Sequence, residues 1–313
     1  MIKYIEHGEI RKNRWDDCIA GAFNGCVYAY SWYLDIVCPA WGALVEDDYL
    51  RVMPLPFFRK CATVYSMQPV FTQQLGVFSK DELTPDLIEN FIKAIPDEFL
   101  LIDYNLNIHN QLQPGNYKLF PMADYELNMA DDYEKLKSGY SQNTRRNLRK
   151  GAENRLVLST GIKPDDVVKL FRNGSGKEYK NLGDKQYATL LRLVYQCLSR
   201  GMAVVWGVYD RHLELCAGAI WVFSHQKAIF LFSGLSDKGR LSGAMPFLID
   251  NFIREHAGSR LTLDFEGSNN EGLARFYAGF GSSRLIYPRL VINRLPLAVK
   301  IALPVVRRIR NIF

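Results

Sequence analysis

Residues 226–282 constrain the fold more than any other stretch. Gln226–Ser233, QKAIFLFS, is an apolar run of strand length. A glycine- and serine-rich segment, GLSDKGRLSG (234–243), follows it. From Ala244 the apolar residues Met245, Leu248, Ile249, Phe252 and Ile253 recur at helical spacing. A second strand, LTLDFEGS (261–268), leads into a second helix through Leu273, Phe276 and Phe280 that ends in glycine. The first passage is strand, loop, helix start. Unpaired N–H groups and the helix dipole at such a place favour an anion.

The elements before this stretch follow an order that occurs twice. In the first half the spacing predicts a short strand at 2–6, helices at 14–23 and 29–37, and strands at 43–46, 49–58 and 63–78. A helix then starts at Thr84-Pro85, with Leu87, Ile88, Phe91 and Ile92 on one face, and strands follow at 99–106 and 117–128. In the second half a strand at 156–160 precedes helices at 164–172 and 185–198, the latter with Leu190, Leu191, Val194 and Leu198 on its face. Three strands follow at 202–209, 213–223 and 226–233, then helix 244–257, strand 261–266, helix 270–280 and strand 285–292. Each half thus reads as strand, two helices, three antiparallel strands, helix, strand. That repetition predicts two copies of one fold, in the α/β class with mixed (α+β) sheets. With 313 residues the chain is long enough for two domains of roughly 150 each. The expected division is 1–138, 139–294 and a tail, 295–313.

Charge is concentrated. The net charge of +6 includes a cluster at Arg145, Arg146, Arg149, Lys150 and Arg155, and another at Lys300, Arg307, Arg308 and Arg310. Clusters of this kind point to an anionic partner. The six cysteines form no C-x-x-C pair and have no accompanying histidines, so they read as thiols in a reducing cytoplasm and not as a metal site. The N-terminus lacks the apolar stretch of a secretory signal, and no run reaches the ~20 residues of a spanning helix.

Three stretches carry a family resemblance: YSQNTRRNLRKG (140–151), SGLSDKGRLSGAMPFLIDNFI (233–253) and LDFEGSNNEGLARFYAGFGS (263–282). With the element order, they resemble the tandem-GNAT proteins of the Fem type, which include the aminoacyltransferases of peptidoglycan synthesis. The resemblance implies two tandem GNAT-like domains and transfer of an acyl or aminoacyl group to an amine. The activated co-substrate would be an acyl-CoA or an aminoacyl-tRNA, with no covalently bound cofactor. The amine acceptor it implies is a cell-envelope precursor linked through a diphosphate. Arg240 and Gly243 match the first and fourth positions of the family's pyrophosphate loop, whereas Met245 stands where a small residue is usual. No long helical arm of the kind carried by tRNA-using members is present.

The candidate residues follow from this frame, each with a plainer reading beside it. Arg240, Ser242, Gly243 and Ala244 form a donor-phosphate cradle, or an ordinary basic loop. Strand alternation places Asp264 and Glu266 on one face, as a base for the attacking ammonium or as carboxylates that hold the following turn. The resemblance makes Tyr277 an acid towards the leaving group; its alternative is a core aromatic. Arg145 and Arg149 share one helical face, and Arg146 and Lys150 another. They suit a diphosphate-bearing substrate, a solvated face or a loose contact with nucleic acid. The tail 295–313, apolar with basic punctuation, suits either packing on the domain or an anionic membrane surface. The functional expectation is a cytoplasmic N-acyltransferase, peripheral at the inner membrane face if the tail binds there. The non-enzymatic alternative is a degenerate pair acting as a membrane-proximal binding module.

Overall fold

A computed structural model describes residues 1–295 except 39, 61, 62, 114, 116, 179–181 and 268. Cys61, and the tail beyond Leu295, therefore lie outside the described residues. The chain divides into two compact units. One is Met1–Met122 with the chain from Ile286 onward, and the other is Ala123–Leu285. This division differs from the expected one at 138, because the change of unit falls inside a strand.

The first unit contains β1 (Ile2–Ile5), α1 (Lys12–Gly21), α2 (Ser31–Val37), β2 (Trp41–Glu46), β3 (Arg51–Lys60), β4 (Thr63–Met67), β5 (Phe78–Ser79), α3 (Pro85–Lys93) and β6 (Phe99–Asn105). Strand β7 (Lys118–Asn128) leads out of it. β1 to β4 pair antiparallel in succession, and β4 pairs parallel to β6. Helix α3 starts as its sequence requires: the Thr84 hydroxyl accepts the Leu87 N–H, with Pro85 at the first position. The strand expected over 63–78 stops at Met67. Pro69 lies just beyond, and residues 68–77 bond to the chain after β6 instead. Asn105 N–H donates to the Gln68 side chain, Leu75 N–H to the Asn105 carbonyl, and Val77 N–H to Asn110 Oδ1.

The second unit contains the end of β7, then α4 (Tyr133–Ser138), α5 (Gln142–Glu153), β8 (Val157–Ser159), α6 (Pro164–Asn173) and α7 (Asp184–Ser199). Strands β9 (Ala203–Tyr209), β10 (Leu215–Ser224) and β11 (Lys227–Leu235) follow. Next come α8 (Asp237–Ser242), α9 (Ala244–His256), β12 (Thr262–Asp264) and α10 (Glu271–Ala278); β13 (Ser283–Asn293) then belongs from Ile286 to the first unit, where it pairs with β6. The sheet order within the second unit is β7-β12-β11-β10-β9-β8. All neighbours are antiparallel except β11 and β12. Helix α7 buries Tyr187, Leu190, Leu193, Val194 and Cys197, so Leu191 and Leu198 stand at the edge of its buried stripe and not at its centre.

One face of this sheet is closed by α9, which buries Met245, Leu248, Ile249, Phe252 and Ile253. Phe252 stacks on Trp221 at 4.3 Å between ring centroids, with Trp206 and His256 against its other sides. Asp250, buried on the same helix, accepts the Tyr133 hydroxyl at 2.9 Å and so ties α4 to α9. Phe252→Ala removes the ring on which this face is packed. It should cost about 3–5 kcal/mol, read as a lowered midpoint in urea unfolding monitored by tryptophan fluorescence.

Candidate functional site: the parting of two parallel strands

β11 and β12 pair through only three positions, Lys227↔Thr262, Ala228↔Leu263 and Ile229↔Asp264. β12 then ends, whereas β11 runs on to Leu235 with β10 as its partner on the other edge. A register shift opposite Ile220/Trp221 leaves Leu231 as a bulged residue on β11. A gap therefore opens beside β11 from Ile229 onward. β4 and β6 in the first unit part in the same way after Met67↔Asp103, but there residues 68–77 bond to the end of β6 and to the chain just after it. No such segment follows β11; the chain enters α8 directly.

A buried charged cluster lies at the parting point. Asp264 and Glu126 are cross-strand partners on β12 and β7, and Asp124 lies two residues further along β7. Carboxylate oxygens of all three lie within 4.8 Å of one another. Lys227, at the start of β11, is the cation among them. It is ion-paired to Glu126, and to Asp264 at 3.3 Å. Burial, with Asp264 alongside, pushes the Asp124 carboxyl well above the usual carboxylate range. Burial also raises Glu126 against the opposing pull of Lys227. The neighbouring carboxylates raise Lys227 and outweigh the effect of its own burial. The arrangement thus places a carboxyl of raised proton affinity beside an ion pair. None of this was visible in the sequence, where Asp124 and Glu126 read as ordinary strand residues; alternation along ADYEL (123–127) was the available signal.

The other expected site residues fall out as follows. Asp264 is buried on β12, and its Oδ1 accepts the Glu266 N–H at 2.8 Å. Glu266 is not on the strand. Pairing stops at Asp264, and Glu266 adopts a left-handed conformation with φ 54°, so the alternation does not reach it. The turn is pinned on both sides. Phe265 N–H donates to the Tyr125 carbonyl, and a Cβ on Gly267 would overlap the Ala123 carbonyl oxygen. Glu266 is half-buried at this turn, beside the gap. Tyr277 lies on α10 with its ring stacked on Phe265 at 5.1 Å.

The expected open loop at 234–243 is largely helical. β11 takes its first residues, and 237–242 wind into α8, capped by the Ser236 hydroxyl, which accepts the Gly239 N–H. Arg240 N–H goes to the Ser236 carbonyl, and Gly243 N–H to the Gly239 carbonyl. Those N–H groups are thus committed within α8, and Pro246 has none to offer in the first turn of α9. Arg240 is exposed, Ser242 Oγ donates to the Gly239 carbonyl, and Ala244 is buried. Gly243 has φ +76°, and a Cβ there would overlap the Asn147 carbonyl oxygen. The close approach that requires glycine is therefore to α5.

Helix α5 is capped by Ser141, whose Oγ accepts the Thr144 N–H, and it is anchored by the Thr144 hydroxyl donating to the Gly279 carbonyl. Its buried side holds Thr144 and Gly151, the latter against Phe247. Arg145 is spoken for: its guanidinium donates to the Tyr140, Ser138 and Lys137 carbonyls at the end of α4. Arg146 reaches the Asn143 side chain, and Arg149 and Lys150 face solvent.

No family model matches the chain, and no curated protein sequence matches it. Solved structures do. FemX superposes with a TM-score of 0.61 at 11% identity, over 91% of this chain and 96% of that one. The C-terminal domain of a protein named as a lysylphosphatidylglycerol synthetase, from Agrobacterium fabrum, gives 0.58 at 14%, over 93% and 94%. A tandem GNAT protein from the clavulanic acid biosynthesis pathway gives 0.50 at 12%, over 95% and 99%. The chain has the tandem GNAT, Fem-like fold.

The Asp124 carboxyl gives a measurable signature. Its folded-state pKa lies above the unfolded value of about 3.9. The folded state therefore holds more protons, and stability falls as pH rises through the window between the two values. Asp124→Asn should be increasingly more stable than the parent as pH rises from about 4, with the difference levelling off once the folded-state pKa is passed. Urea unfolding at a series of pH values reads this difference.

Proposed function

We propose that the second unit transfers an acyl or aminoacyl group from an activated donor to an amine. The observation that carries this reading is the gap where β12 leaves β11. It ends the pairing of a strand edge, beside a buried charged cluster, in a fold shared with FemX and a tandem GNAT protein. An acyl carbonyl laid along that edge would meet backbone N–H groups able to stabilise the oxyanion that forms on attack. Glu266, at the lip of the gap, accepts the proton of the attacking ammonium. Asp264 holds the Glu266 backbone in place and is itself held by Lys227. Tyr277, its ring fixed by Phe265, protonates the leaving group.

The bond formed joins the amine nitrogen to the acyl carbon, and the bond broken joins that carbon to the donor's sulfur or oxygen. Of the two donor classes, the aminoacyl-tRNA suits this chain better. A pyrophosphate needs free N–H groups at 239–246; those of Gly239, Arg240 and Gly243 are committed within α8 and Pro246 has none, which leaves those of Ala244 and Met245. Arg146, Arg149 and Lys150 are the cations available to an anionic acceptor, such as a diphosphate-linked envelope precursor. The name of the Agrobacterium fabrum neighbour points the same way, towards a lipid product. No helix of the described residues is long and apolar enough to cross a membrane.

Glu266→Gln should lower kcat by about 10²–10⁴ with little change in KM, the usual size of a lost general base. The assay is single-turnover transfer from charged tRNA to cell-envelope amines. A variant as fast as the parent removes Glu266 from the mechanism. Coenzyme A and acetyl-coenzyme A at millimolar concentration should leave the thermal midpoint unmoved. A ligand at 100 times its dissociation constant would add about 2.7 kcal/mol, and a rise of that size would reassign the donor to an acyl-CoA.

A further inference from the structure

The face formed by α5, α8 and the β9–β10 turn combines exposed cations with two projecting leucines. Helix α8 lies between the other two elements. Lys238 is ion-paired to Glu214 beside the turn, and Gly243, at the end of α8, is pressed on Asn147 in the middle of α5. Across this face stand Arg146, Arg149 and Lys150 from α5, Arg240 from α8 and Arg211 from the turn, all exposed. Among the described residues none of these five makes an ion pair, so all five charges are available to an anionic partner. The acidic side chains nearby in sequence are Asp210, which caps its own turn through the His212 and Glu214 N–H groups, and Glu214, Asp237 and Glu153.

The same face carries Leu213 and Leu241, each 78% exposed, more than any other large apolar side chain described except Met1. Leu213 sits at the tip of the turn with φ 59°, and Leu241 is one residue from Arg240. A nucleic-acid backbone would use the cations but has no use for two projecting aliphatic side chains. A bilayer with anionic headgroups uses both: the cations lie at the phosphate level, and the leucines enter the headgroup–acyl boundary.

We propose that this face docks on an anionic lipid bilayer, with Arg146, Arg149, Lys150, Arg211 and Arg240 at the headgroups and Leu213 and Leu241 inserted. Docking is read without the transfer chemistry, although it uses Arg146, Arg149 and Lys150, the cations given above to an anionic acceptor. Its consequence, the delivery of a lipid-borne acceptor to the gap beside β11, rests on the function proposed above. Arg145 takes no part, because its guanidinium is held by the α4 carbonyls.

The test is co-sedimentation of the full chain with phosphatidylcholine vesicles, with and without phosphatidylglycerol, so that no transfer activity is needed. The parent should partition onto the anionic vesicles and not onto the neutral ones. Each basic side chain near such a surface is worth about fivefold in partition. The triple variant Arg149→Gln/Lys150→Gln/Arg240→Gln should therefore bind about 100-fold more weakly. Leu213→Asp/Leu241→Asp should weaken binding while leaving the cations in place. All five positions are exposed, so thermal midpoints should stay near that of the parent, which separates lost docking from lost folding. Equal binding to both vesicle types overturns the proposal. So does undiminished binding by both variants, which would assign the membrane to the tail 295–313. Loss of tRNA binding in the triple variant with vesicle binding intact also overturns it, and would make the face an RNA surface.

Discussion

Lys227 holds the centre of the second unit together. Three strands meet where it stands, and each brings charge out of water: Asp124 and Glu126 from β7, Asp264 from β12, and the ammonium from β11. β12 has only three residues, so its ladders to β7 and β11 are too short to define the parting point without side-chain help. A buried carboxylate without a counter-charge costs several kcal/mol, so the cluster depends on the ion pairs that Lys227 makes. The same interactions set the conformation of the next turn. Asp264, held by Lys227, accepts the Glu266 N–H and keeps a non-glycine residue left-handed. Fold stability and the placement of the candidate base thus depend on one set of contacts.

The two units use one plan differently. In the first, residues 68–77 follow β4 and are bonded through Gln68, Asn105, Asn107 and Asn110. In the second, the corresponding chain winds into α8, and the pairing of β11 with β12 ends at Ile229. The difference is local chemistry. Side-chain amides satisfy the backbone of an irregular segment. A serine cap with a six-residue helix behind it consumes its own N–H groups.

Much of the fold was legible in the sequence because it rests on periodicity. The helix at Thr84-Pro85, the apolar face of α9 and the three antiparallel strands before it all declare themselves by spacing and caps. The site was less legible. Glu266 and Asp264 looked like neighbours on one strand face, yet the strand ends between them, since nothing in LTLDFEGS announces that its partners stop at Asp264. Arg145, Arg146, Arg149 and Lys150 looked like one cluster. Arg145 is diverted to the end of α4 because that helix terminus happens to lie within reach.

What the sequence determined by itself is the set of elements, their order and their repetition, since apolar spacing and capping act over a few residues. Three features were decided only by the tertiary structure. Asp124 and Glu126 lie beside Asp264 and Lys227, which are about a hundred residues or more away along the chain. The glycine at 243 is required by its close contact with α5. Residues 68–77 bond to the end of β6, whereas α8 follows β11. Each depends on which strand edge or helix end comes to stand next to a given group, and long-range pairing of that kind follows from the packing of whole elements, to which no short stretch of sequence has access.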